Sequence, residues 1–360
     1  MTTEIKNLYH KYMEETARVV NPEIESYFER YKKDKDFFRI FKPLLKKRLK
    51  FPQLRTVISR LSYEIVGGKN WKRIAPILAA MEIHNMYLYL HNWIFDNKNF
   101  IWSGELKEVR KKINDVIIAT AITRELYSDA IDKLDISPAQ KLEIERNFRK
   151  SVKETYYGQF LDVNLTIDRF DEFKSESDFL KLYELKSKIQ SGSFYSLSGY
   201  IGAILGDASK KQKEAMKEIC EMFGTGLHIS NDLGDFAPPK KNTSTFGKAY
   251  QDQLADIREN RLTFPVFSVL KSGNQKEKDA LLKMVGNYNP TEKELLEAIK
   301  SIHSTGTFSY FKKYIRGYYK NAEKLLHENF EKTKERDLFS VMLSVIRSNK
   351  FLTELRKFKK

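Results

Sequence analysis

The feature that most limits how this chain can fold is an apolar spacing of three and four residues that runs from one end to the other. "RTVISRLSYEIV", "PILAAMEIHNMYLYLHNWIF", "INDVIIATAITRELYSDAIDKL", "QKEAMKEICEMFGTGLHISND" and "DLFSVMLSVIRSNKFLTEL" all carry it, and strand-like alternation is scarce. Such spacing gathers an apolar stripe on one side of a helix, and stripes are buried by packing helix on helix. With 16 Gly and 9 Pro in 360 residues, breaks are few. They fall at "VGGKN" (66–70), "DISPAQ" (135–140), "GDASKK" (206–211), "FAPPKKNTSTFG" (236–247) and "NYNPTEKE" (287–294), each rich in turn or capping residues. No segment is biased enough to be an interdomain linker, and no repeat of about 20–50 residues occurs. The expectation is an all-α, single-domain helical bundle over 1–360, with 1–45 as an N-terminal helical extension.

Composition narrows the function classes. Hydrophobic residues at 41% and charged residues at 31% give a globular balance rather than disorder. The one cysteine, Cys220, excludes an internal disulfide framework and fits a reducing cytoplasm. It lies in the apolar repeat "MKEICEMF", which suits a buried thiol. The first residues, "MTTEIKNLYHKYMEETARVV", have no apolar core of signal-peptide type. The uncharged run "IQSGSFYSLSGYIGAILG" (189–206) is long, but its Ser and Gly content suits a tightly packed interior helix, so no transmembrane segment is expected. A net charge of +16 suits anionic partners: phosphorylated substrates, nucleic acid or an acidic membrane surface. No nucleic-acid motif accompanies it. Lysine spread along helix faces, as in "FKPLLKKRLK" and "FLTELRKFKK", makes a solvated surface the default explanation, and no nucleic-acid partner is expected.

Against that basic background, "HISNDLGDF" (228–236) places Asn231, Asp232 and Asp235 in an apolar, helix-patterned segment. Residues at i and i+3 face the same way on a helix, so the two acids point into one place. A solvated turn beside a Pro-rich loop is the plain alternative. The loop that follows runs into "FGKAYQDQLADIRENRLTFP" and brings Lys248 near the end of the acid-bearing helix. Acids on a helix with a lysine in the next loop suit a metal-bound phosphate, because Mg²⁺ shares oxygen ligands between one or two carboxylates and substrate phosphates. His84 and His91 are seven residues apart, about 10.5 Å along a helix. That is too far to share one zinc, and each reads as an interior histidine.

Taken together, these segments resemble those of the trans-isoprenyl diphosphate synthases, the polyprenyl synthetase family, within the class I terpene synthase superfamily. "FGTGLHISNDLGDF" and the loop ending "RLTFP" resemble the second aspartate-rich motif and its loop. "AAMEIHNMYLYLHNWIFDN" resembles the helix of the first DDxxD motif, "YYGQFLDV" (156–163) the GQxxD segment, and "QSGSFYSLSGYIGAIL" (190–205) the KTxxLF helix. All come in the family's order, over a family-like core at 50–350. The resemblance implies an isoprenoid synthase-type bundle around a deep apolar cavity, with Mg²⁺ held by two acidic patches. There an allylic prenyl diphosphate loses pyrophosphate and leaves a carbocation, which isopentenyl diphosphate attacks in the synthases. It also implies a homodimer, or a heterodimer with a homologous subunit.

The match is uneven. Asn231, Asp232 and Asp235 take the second DDxxD, Lys248 the loop lysine, Arg261 the place of a second lysine, and Gln159 the GQ glutamine. Gln190 stands where KTxxLF has its lysine. In the first patch His91, Asn92 and Trp93 replace paired aspartates, Asp96 matches the last acid after a one-residue shift, and Trp102-Ser103-Gly104 replaces Arg-Arg-Gly. The resemblance sets the family's diphosphate-binding segment at "KFPQLRT" (50–56), with Arg55 kept and Pro52 at the lysine, rather than at "GGKNWKR" (67–73). His84 fits the histidine that helps hold isopentenyl diphosphate.

The resemblance therefore implies metal ligands at Asp232, Asp235, Asn231, Asp96 and Asn92. It implies diphosphate contacts at Arg55, His84, Gln159, Lys248 and Arg261, with Asp232, Asp235 and Lys248 catalytic. Each lost carboxylate costs roughly 4 kcal/mol at ~4 Å and an effective dielectric of ~20. That deficit puts ionisation of a single allylic diphosphate, as in terpene cyclases, narrowly ahead of chain elongation. The alternative is a non-catalytic subunit paired with an active homologue. Tyr87, a bulky residue before the first motif, hints at a short-chain substrate.

Overall fold

Helices form where the apolar spacing puts them. The computed structural model describes residues 3–49, 53–95, 104–236 and 254–347. In the first half of the chain the helices are α1 (Thr3–Phe28), α2 (Lys35–Phe38), α3 (Lys42–Arg48), α4 (Leu54–Ile65), α5 (Ala75–Phe95), α6 (Leu106–Asp132) and α7 (Pro138–Asn164). Then come α8 (Glu176–Ser187), α9 (Ser193–Leu205), α10 (Lys210–Gly234), α11 (Ala255–Arg258), α12 (Phe264–Ser272), α13 (Gln275–Leu282), α14 (Glu292–Ser304), α15 (Thr307–Asn329) and α16 (Lys334–Arg347). Among the described residues the β-type pairing is confined to an isolated bridge between Thr166 and Arg261. The fold class is all-α.

Two compact units divide the chain. The first comprises Met1–Lys150, Leu197–Lys217 and Leu326–Met342, the second Ser151–Ser196, Glu218–Leu325 and Leu343–Lys360. In the first, α5 lies against α6, α1 and α4. Its residues Ile77, Leu78, Ala79, Ala80, Met81, Ile83 and Met86 have no exposed surface. A helix apolar all round belongs in an interior, and this one is there. The N-terminal segment packs as part of the same unit. Arg60 donates to Thr16 Oγ1 at 2.8 Å, and its guanidinium lies between the rings of Tyr12 and Trp71 at 3.9 and 3.7 Å.

The Ser- and Gly-rich run expected to be an interior helix is one. A Cβ on Gly202 would lie 2.2 Å from the Ser59 carbonyl oxygen, so α9 and α4 meet backbone to backbone. Ser59 Oγ donates to the Ser198 carbonyl at 2.9 Å across that contact. Among the described residues no helix is long and apolar enough to cross a membrane.

In the second unit α8 and α12 share an aromatic core, with Phe179 and Phe267 stacked at 4.2 Å and Phe264 alongside. Helix α8 starts on a Ser175 cap, and α13 and α14 start on full capping boxes, Asn274 with Glu277 and Thr291 with Glu294. These satisfy amides that a helix start leaves bare. Between α8 and α9 the chain makes a π-turn, Lys188–Gly192. Cys220 is buried, and burial pushes its thiol up, away from the reactive thiolate.

Candidate functional site

Helix α7 brings the first two groups of the site. Gln159 and Asp162 are three residues apart and share a face. Gly158 lets the backbone of α7 close on the π-turn: a Cβ there would sit 2.6 Å from the backbone of Gln190. At that distance Gln190 Nε2 donates to Gln159 Oε1 at 3.0 Å. Gln159 Nε2 is closed off from solvent and has no hydrogen-bond partner among the described residues.

Asp162 is the hub. Its Oδ1 accepts from Lys186 Nζ at 2.7 Å, and its Oδ2 accepts from Arg261 Nη1 at 2.5 Å. Lys186 comes from the last turn of α8 and is 2% exposed. Arg261 is held by backbone pairing: Leu262 N donates to Leu165 O at 2.7 Å and Ile167 N to Asn260 O at 2.9 Å. Its other terminal nitrogen, Nη2, meets Glu259 Oε2 at 2.8 Å.

The two acids of "HISNDLGDF" reach this region from the end of α10. Asp232 Oδ2 accepts from Tyr183 OH at 2.7 Å and lies 3.8 Å from Lys186 Nζ. Asp235 Oδ2 accepts from the Asp256 amide at 3.2 Å. Exposures of 4% and 0% exclude a solvated turn, whereas Asn231, on the same turn, is exposed.

Charge balance follows from these contacts. Burial alone would raise the Asp162 carboxyl, but Lys186 and Arg261 hold it well below the usual carboxylate range. Burial would lower the Lys186 ammonium, and Asp162 and Asp232 outweigh that, leaving it raised and charged. For Asp232 burial wins and the carboxyl is raised, against the pull of Lys186 and His228. Tyr183 is pushed up by burial and then by Asp232, so it stays a phenol that donates.

Among the described residues no three His, Cys, Asp or Glu side chains are grouped to hold a metal ion. Asp232 is met by an ammonium and a phenol, and Asp235 bonds a backbone amide. These residues do not fit a resident magnesium ion.

The other candidates divide between the first unit and the undescribed segments. Arg55 Nη1 donates to Asn85 Oδ1 at 2.6 Å, and Arg48 Nη2 to Glu82 Oε2 at 2.8 Å. His84 is interior, as expected, packed on Tyr87, Tyr127 and Phe148. Burial, then the Arg55 charge, hold its imidazole well below the usual histidine range, so at neutral pH it offers a hydrogen bond and no charge. His91 and Asn92 are half-buried near the end of α5. Asp96, Lys248, Pro52, Trp102 and Ser103 lie outside the described residues.

Three site residues escaped the sequence reading: Asp162, Tyr183 and Lys186. Asp162 was in view in "YYGQFLDV", three residues after Gln159. Tyr183, Lys186 and Gln190 are spaced i, i+3 and i+7, one face of a helix, which is the signal that places Lys186 inward and Lys188 outward.

Known proteins bear on this arrangement. The family model for polyprenyl synthetase matches residues 50–302. A geranylgeranyl pyrophosphate synthase of Geoglobus acetivorans is 28% identical, covering 87% of this chain and 91% of its own. Among solved structures, a geranylgeranyl pyrophosphate synthetase from Pyrococcus horikoshii superposes with a TM-score of 0.78 at 19% identity, over 96% of this chain and 99% of that one. A geranylgeranyl pyrophosphate synthase from Corynebacterium glutamicum, complexed with isoprenyl diphosphate and magnesium, gives 0.77 at 14% identity, over 93% and 99%.

Proposed function

The chain belongs to the polyprenyl synthetase family, and from that premise we propose that it is a prenyltransferase lengthening an allylic prenyl diphosphate with isopentenyl diphosphate. The observation that carries the reading is the buried group of Asp162, Asp232, Lys186 and Arg261, with Gln159 beside it. As the allylic carbon–oxygen bond breaks, negative charge gathers on the departing pyrophosphate. Oriented donors in a water-poor site stabilise that charge. Gln159 Nε2 and Arg261 are the proposed donors, and Lys248 joins them in the proposal. The double bond of isopentenyl diphosphate then attacks the allylic cation, and loss of a proton completes the longer diphosphate. Arg55 and His84 are the proposed holders of that second substrate.

Magnesium enters the proposal as an ion carried in by the diphosphate. Among the described residues, ion pairs join Lys186 and Arg261 to Asp162, Asp232 and Glu259. A cation entering with the diphosphate would ease its approach to these carboxylates. Asp232, Asp235 and Asn231 are the proposed oxygen ligands for such an ion at the second motif, and Asn92 and Asp96 those of the first patch. Pairing with a second copy or a homologous chain belongs to the same proposal, and sedimentation velocity reads it.

One observation favours a second reading, a non-catalytic subunit: His91 and Asn92 stand where the family has acids. Purified protein incubated with C10, C15 and C20 allylic diphosphates and Mg²⁺, with and without isopentenyl diphosphate, separates the cases. A longer diphosphate is the expected product. Pyrophosphate release without the second substrate supports cyclase-like ionisation instead, and no turnover in any tube supports the subunit.

A further inference from the structure

The second unit buries a charge that the expected motifs do not contain. Position 190, where the resemblance puts a lysine, holds Gln190, bonded to Gln159. One helical turn earlier, Lys186 is almost fully enclosed, with Nζ 2.7 Å from Asp162 and 3.8 Å from Asp232. A buried ammonium persists only where carboxylates hold it, and removing one partner leaves the other costly. Asp162 has a second cation on its other oxygen, Arg261 at 2.5 Å. The approach of Lys186 to Asp232 therefore exceeds what Asp162 alone requires. Tyr183 and Lys186 both address the same oxygen, Oδ2.

We infer that Lys186 is a built-in counter-ion of the acidic motif: in the diphosphate-free protein it takes the place at Asp232 that a divalent cation would occupy, and keeps such an ion from settling there. The inference rests on the proposed function for one point, that Asp232 belongs to the diphosphate site. An arriving diphosphate offers the ammonium a charge-assisted partner. Cation and substrate then enter together, and the charge lost at position 190 is supplied by position 186.

The test is a titration of Mn²⁺ into the full-length protein without any diphosphate, followed by the paramagnetic resonance signal of the free ion. Lys186→Met removes the competing charge and is expected to bind Mn²⁺ about tenfold or more tightly than the natural chain. The gain should vanish in Lys186→Met/Asp232→Asn. Equal affinity in the natural chain and Lys186→Met, or a gain that survives Asp232→Asn, overturns the inference. If circular dichroism shows that Lys186→Met does not fold, Asp232→Asn in the otherwise natural chain decides. With Lys186 holding the place, that isosteric change should alter Mn²⁺ affinity by less than about threefold, and a larger loss overturns the inference. No turnover is involved, so a failed elongation assay would sink the proposed function and leave this result standing.

Discussion

Two buried polar groups, one in each unit, are built from different partners. In the first unit, two guanidiniums, Arg48 and Arg55, meet one carboxylate, Glu82, and the amide of Asn85, while His84 stays neutral. In the second, Lys186 and Arg261 meet Asp162, Asp232 and Glu259. The first group sets guanidiniums against a carboxylate and a neutral amide, and the second shares carboxylates between an ammonium and a guanidinium. The same material, an apolar helix wall with polar residues a turn or two apart, yields either arrangement through the choice of a few side chains.

The largest expected effect lies in the second group. Asp162→Ala strands two cations in the interior and should cost about 3–5 kcal/mol in urea unfolding. A loss under ~1 kcal/mol would show that the hub is not one. Next comes the Arg48–Glu82 ion pair: Arg48→Met should cost about 3 kcal/mol, and Arg48→Met/Glu82→Leu should recover part of it, because a buried ion pair is replaceable by apolar groups, while Thr56 and Asn85 lose the acceptor they share. No matching double change should rescue Asp162→Ala, since three carboxylates and two cations share that group. Failure of the first rescue, or success of the second, would erase the contrast.

Smaller effects sharpen the comparison. Gly158→Ala drives a methyl into the backbone of Gln190 and should cost about 1–3 kcal/mol. Gln159 contacts should suffer with it, raising KM for the allylic substrate more than for isopentenyl diphosphate. The smallest is a pH effect in the first unit. The native His84 value lies below the unfolded one of about 6.5, so below that pH the unfolded chain binds a proton that the folded chain refuses. This group then removes about 1.4 kcal/mol of stability per pH unit as pH falls from 6.5 toward its native value. His84→Phe, which keeps the ring stack, should flatten that part of the profile. An unchanged slope would mean that the histidine is not held neutral.

The helices were legible because long apolar stripes and their stops are local. Gly67, with φ +97, ends the turn after α4, and the Ser209 region restarts the chain into α10. The burial of Asp232 and Asp235 was legible too, since both acids interrupt an apolar repeat. Lys186 was harder to see: in "ELKSKIQ" two lysines lie two residues apart, and the spacing to Tyr183 and Gln190 picks out Lys186 only once those two are known to face inward. The partners of Asp162 were hidden for a related reason: Arg261 arrives from almost a hundred residues away, held by a short backbone pairing that no periodicity announces.

The π-turn at Lys188–Gly192 has a consequence for how this protein can be altered. A widened turn holds one residue more than the regular coil, and each residue of a helix advances the azimuth by about 100°. Deleting Ser191 there would swing Lys186 a quarter-circle or more relative to α9 while leaving Lys186 and Gln190 in the sequence. An insertion or deletion in this stretch therefore re-aims the buried cation relative to α9.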